Sequence, residues 1–166
     1  MNSPSHASTD EALRKVLLVV VPELHRCCRD PWTLIGSAAA YLAGAEVTVA
    51  DLDVLTSTRD AEVLIGEWRL RRDDTCAPAD AGRFRSCYAR FHFPGLPVEV
   101  MGGLEVFGEN GGWMPVQVAE TDTVDMAGVA VTVPSIAEQL RILESFGRPK
   151  DLRRAALLKS LCEEQL

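Results

Sequence analysis

The chain has 166 residues, 47% of them hydrophobic, and 17 basic against 24 acidic side chains give it a net charge of -7. That length can bury one core without disulfides or a structural metal, and the acidic balance argues against bulk nucleic-acid binding, whose affinity comes from neutralised phosphates. Five cysteines, Cys27, Cys28, Cys76, Cys87 and Cys162, make neither a C-x-x-C pair nor a zinc-ligand spacing and read as reduced thiols of a cytoplasmic protein.

Met1 to Ala7 is expected to be a disordered leader to a single domain. Ser8 followed by Glu11 has capping-box spacing, and Leu13, Val16, Leu17 and Val20 share one helical face. Pro22 ends, kinks or restarts that helix, and His25 is a surface residue near its end. The apolar run from Val16 to Val21 is too short for a signal segment or a membrane span. Trp32 to Ile35 reads as a buried strand, Gly36-Ser37 as a tight turn, Ala38 to Ala43 as a short helix and Gly44 as its stop. A second strand, Val47 to Leu55, carries Asp51 and Asp53. Alternation puts both carboxylates on one face, with Leu52 and Val54 turned to the core. Like charges so placed repel unless a cation sits between them, and carboxylate oxygens suit magnesium, which in turn carries phosphates. Gly36 lets backbone approach a ligand, and the N–H groups opening the next helix favour an anion.

Thr56 to Asp60 supplies caps for a helix reaching about Arg71, with Ala61, Val63, Leu64 and Trp68 facing the sheet. Arg69, Arg71 and Arg72 are either a solvated helix end or a phosphate contact. Asp73 to Gly82 is a polar loop near the site. Phe84 to Phe93 and Leu96 to Val106 form two strands joined at Pro94-Gly95. In the second, Leu96, Val98 and Val100 share a face and Glu99 and Met101 take the other. Glu99 between valines needs a partner, such as an ion shared with Asp51 and Asp53, unless it lies on an exposed edge. A turn at Gly108 to Gly112 leads into a strand from Trp113 to Val118. Asp122 and Asp125 fall in a polar connection before a strand at Val129 to Val133. Ser135 and Glu138 cap a helix with an apolar stripe of Ile136, Leu140, Leu143 and Phe146, which Gly147 stops. Pro149 opens the last helix, within residues 148–166. Lys150 there opposes the helix dipole, which suggests a negative ligand or carboxylate nearby; surface exposure is the alternative.

Gly36-Ser37, thirteen residues, then Asp51-Leu-Asp53 in an apolar strand resembles the nucleotidyltransferases of the DNA polymerase beta-like superfamily. Glu99 matches the third carboxylate of that family, and Arg-Pro-Lys-Asp at 148–151 is similar to the close of small members such as the lincosamide and aminoglycoside nucleotidyltransferases. The resemblance implies an α/β (α+β) fold, a mixed twisted sheet of five or six strands with packed helices. It implies two magnesium ions on Asp51, Asp53 and Glu99, a nucleoside triphosphate held by Gly36, Ser37 and Lys150, and transfer of a nucleoside monophosphate to an acceptor hydroxyl. The acceptor is open, with a small molecule or protein favoured over RNA by the acidic charge; a homodimer is compatible with the sequence. Two other readings are a toxin or antitoxin partner acting on protein or transfer RNA, and a non-catalytic nucleotide-binding domain.

Overall fold

The computed structural model describes residues 4–78 and 80–165. In chain order the elements are α1 Pro4–Cys27, β1 Thr33–Ile35, α2 Gly36–Leu42, β2 Leu52–Thr56, α3 Thr58–Glu67, β3 Phe84–Phe91, β4 Val98–Phe107, β5 Trp113–Pro115, β6 Thr121–Met126, β7 Val129–Pro134, α4 Ile136–Phe146 and α5 Pro149–Glu164. The main sheet runs β1-β2-β4-β3, with β5 added on β4, while β6 and β7 form a separate hairpin. β2 and β4 are parallel and the other pairs antiparallel, which makes the sheet mixed and the fold α+β. Among the described residues no helix is long and apolar enough to cross a membrane.

Alternation sets the layers. Leu52 and Val54 of β2, Val98 and Val100 of β4 and Ala89 and Phe91 of β3 are buried against Leu13, Val16, Leu17 and Val20 of α1 and Leu64 and Trp68 at α3. The opposite face is covered only in part, where Ile35, Leu55, Leu104 and Val106 meet Ile142 and Phe146 of α4. Asp51, Asp53 and Glu99 lie on this second face, at a cavity that residues of α2, α4 and α5 border.

Several local expectations are corrected. α1 already includes residues 4–7, so no disordered leader precedes Ser8 there, and Met1 to Ser3 lie outside the described residues. Ser8 is therefore interior to the helix and caps nothing. The helix also continues through Pro22, which faces solvent near its last turns. β2 begins at Leu52 and not at Val47, because β1 offers only three residues, which pair with 53–55, and β4 first pairs at Leu52. Val63 is exposed and does not pack on the sheet. Asp122 and Asp125 lie in β6, with side chains exposed on a true strand. Gly147 stops α4 as expected, at φ 67°, a left-handed conformation glycine adopts without a Cβ penalty.

Candidate active site

Strand register builds the site. Ile35 of β1 pairs with Asp53 of β2, Asp53 pairs with Glu99 of β4, and Glu99 pairs with Arg90 of β3. Neighbouring strands are about 4.8 Å apart, so this single row crosses the sheet with two carboxylates side by side. Asp51 joins them from two residues before Asp53. One carboxylate oxygen from each of the three lies within 4.8 Å of the others. The placement of Glu99 on the face of Asp51 and Asp53 agrees with the alternation argued from its flanking valines.

These charges are unequally compensated. Glu99 Oε1 accepts from the Tyr88 hydroxyl at 2.8 Å and from Arg90 Nη1 at 2.7 Å, and the same Arg90 nitrogen reaches Asp51 Oδ2 at 3.4 Å. Asp53 Oδ1 is buried without a hydrogen-bond partner. Burial, then the neighbouring charges of Asp51 and Glu99, push the Asp53 carboxyl well above the usual carboxylate range, and Arg154 offsets this only in part. Burial and its bond to Glu99 likewise raise the Tyr88 phenol, which therefore stays a protonated donor at neutral pH.

Gly36 sits directly over Asp53 because it follows Ile35, the partner of Asp53. Its φ is +69°, and a Cβ added there would lie 2.5 Å from Asp53 Oδ2. Only glycine satisfies both conditions, so the backbone that opens α2 is held against the carboxylates. Ser37 is buried in the first turn of α2 and does not line the adjoining cavity.

That cavity, about 430 Å³, joins the carboxylates to an apolar wall of Phe84, Met101, Leu104 and Phe146, and to Lys150 and Arg154 on α5. Lys150 is exposed at its rim and forms no ion pair among the described residues. Its neighbours serve the scaffold. Asp151 is fully buried and closes a capping box with Arg148, whose guanidinium bonds Asp151 at 2.6 Å and Asp80 at 3.1 Å and lies 4.8 Å from the centre of the Phe84 ring. Through Asp80 the 73–82 loop is tied to α5, and Pro78 and Ala81 of that loop line the cavity.

Other candidates fall away from the site. None of Arg69, Arg71 and Arg72 lines the cavity; Arg71 stacks over Phe93 and Arg72 pairs with Asp74. Trp113 packs edge-on against Phe107, with Arg85 stacked over its ring. The residues that sequence reasoning missed are Tyr88, Arg90, Arg148 and Arg154. Alternation in β3 does set Tyr88 and Arg90 opposite Ala89 and Phe91, a signal present in the sequence but without a register to use it.

No family model and no curated protein matches the chain. Solved structures do. A Thermotoga maritima protein assigned to the nucleotidyltransferases aligns over 99% of this chain and 96% of its own, with 21% identity and a TM-score of 0.66. A lincosamide antibiotic adenylyltransferase, solved with lincomycin bound, aligns over 87% of this chain and 95% of its own, with 12% identity and a TM-score of 0.55. The antibiotic-resistance factor ANT(2'')-Ia aligns over 96% and 87%, with 12% identity and a TM-score of 0.55. At these identities the likeness is one of fold, and the fold is that of nucleotidyltransferases.

Proposed function

We propose that this chain, which has the nucleotidyltransferase fold, is an enzyme, a magnesium-dependent nucleotidyltransferase that moves a nucleoside monophosphate from a nucleoside triphosphate to an acceptor hydroxyl on a small molecule or a protein. One observation carries the reading: three carboxylates converge within 4.8 Å beside a cavity, and one of them keeps a buried oxygen without a partner. A buried carboxylate oxygen without a partner calls for one, and hard cations take carboxylate oxygens as ligands. The residues therefore fit a divalent ion. Asp51 and Asp53 would hold two magnesium ions and Glu99 would complete one of the sites; bound there, magnesium supplies Lewis-acid neutralisation of the triphosphate and of the attacking and leaving oxygens.

The chain's own groups do the rest. The backbone at Gly36 meets the terminal phosphates, with Ser37 buried behind it as part of the turn and not as a phosphate contact, and Lys150 serves them as a point charge that needs no bidentate geometry. The apolar wall excludes water and takes the flat or apolar part of a substrate. As the acceptor oxygen bonds to the α-phosphorus, the bond from that phosphorus to the bridging oxygen breaks and pyrophosphate leaves with the electron pair. Glu99, held in place through Oε1 by Tyr88 and Arg90, takes the acceptor proton. The acidic net charge of the chain favours acceptors other than RNA.

Calorimetric titration of magnesium with each nucleoside triphosphate tests this reading. The wild type binds at least one triphosphate, and Lys150→Ala binds it about tenfold more weakly, or about 1.4 kcal/mol. Thermal stability of that variant changes by less than about 0.5 kcal/mol, as for other exposed positions without partners. Binding of no triphosphate would defeat the reading. A loss of stability at unchanged affinity would make Lys150 a scaffold residue.

A further inference from the structure

We propose that Arg90 is a built-in counter-ion that keeps the carboxylate cluster weak for free divalent ions, so that a metal enters together with the triphosphate. The inference rests on the metal-site reading above and gives Arg90 a role beyond its hold on Glu99. Arg90 is fixed opposite Glu99 by the β3–β4 register, and its Nη1 bonds Glu99 Oε1 at 2.7 Å and contacts Asp51 Oδ2 at 3.4 Å. One nitrogen thus links two of the three carboxylates from two different strand ends.

The arrangement has a direct consequence for charge. Three carboxylates held together carry three negative charges when ionised, and the guanidinium cancels one of them at contact distance. Its side chain is only 20% exposed, so solvent screens the interaction less than at the surface. Arginine does not deprotonate to make room, so an arriving ion meets a fixed positive charge and competes for the same two oxygens. Arg154, which acts on Asp53, sits on α5 and is shared with Asp151 at 3.8 Å, whereas Arg90 is bonded to Glu99 and Asp51 themselves. A triphosphate brings its own negative charge and reverses the balance, which makes ion and nucleotide binding mutually dependent.

Binding of Mn2+ alone, followed by the electron-paramagnetic signal of the free ion with the full chain, tests the proposal. The wild type binds Mn2+ weakly, and far more tightly with a non-hydrolysable nucleoside triphosphate. Arg90→Gln, which keeps an amide donor but loses the charge, binds Mn2+ alone about tenfold to a hundredfold more tightly than the wild type. Arg90→Lys keeps the charge and stays within about threefold of the wild type. If Arg90→Gln binds Mn2+ alone no better than the wild type, while both bind it with triphosphate, the counter-ion role is wrong and the metal site stands. If no protein binds Mn2+ with or without triphosphate, the metal reading fails and takes this inference with it. Should Arg90→Gln unfold in the absence of ions, recovery of its circular dichroism on adding Mn2+ supports the proposal, and failure to recover overturns it.

Discussion

Asp53→Asn is expected to stabilise the ion-free protein while abolishing nucleotidyl transfer. In the wild type, burial and the adjacent charges of Asp51 and Glu99 hold the Asp53 carboxyl well above its ordinary range. The sign follows from linkage. A folded-state pKa above the unfolded value means that the folded protein binds the proton more tightly, so this group favours folding below about pH 4, its unfolded value. That contribution is lost as pH rises through the folded value, above which ionised Asp53 opposes folding. Asparagine does not titrate. At pH 8, without divalent ions, the variant should therefore exceed the wild type by about 1–3 kcal/mol, the range for relieving a poorly compensated buried polar group. The advantage should shrink as pH falls toward 4. Magnesium with triphosphate should raise the melting temperature of the wild type and leave that of the variant unmoved. A variant less stable than the wild type throughout this pH range would make Asp53 a structural residue.

Glu99→Gln should slow transfer by about 10²- to 10⁴-fold, the usual contribution of a positioned general base. The amide oxygen can still accept from Tyr88 and Arg90 at the position of Glu99 Oε1, so the fold and the approach of the nucleotide are preserved. The loss should accordingly fall on turnover, with the apparent affinity for triphosphate changed less than about tenfold. Steady-state rates of label transfer separate these effects. A variant with unchanged turnover would remove Glu99 from the chemistry.

The residues that carry these expectations were legible in the sequence for a simple reason. Asp53 and Glu99 lie in short apolar strands where alternation fixes the face, Asp51 adjoins the first of these just before its start, and Gly36 precedes them as the one residue able to sit against a carboxylate. Arg90 and Tyr88 were not legible, because their place depends on cross-strand register. The β3–β4 pairing contains a shift between Arg85 and Cys87 that no local pattern announces. The β6–β7 hairpin was hidden differently. Its turn places Ala127 at φ 53° and Gly128 at φ 87°, a two-residue turn that normally advertises itself with Asn-Gly or Asp-Gly. Alanine in the left-handed region gives no such signal, and the polar residues of β6 then read as a loop. Arg148 and Asp151 show a third case: the tetrapeptide 148–151 pointed at a ligand, yet two of its residues form a capping box that anchors α5, and Lys150 is the cavity-lining member that forms no ion pair among the described residues.

The central claim, that the α-phosphoryl group and its nucleoside move to an acceptor, is tested most directly by the fate of label from two positions of the same triphosphate. The protein is incubated with magnesium and a fractionated cell extract, using triphosphate labelled at the α-phosphate in one reaction and at the γ-phosphate in the other. The account predicts that α-label appears on an acceptor while γ-label is recovered as pyrophosphate, and that Asp53→Asn gives neither. Appearance of γ-label on the acceptor, or α-label that stays on free nucleotide with every triphosphate and fraction, would contradict it.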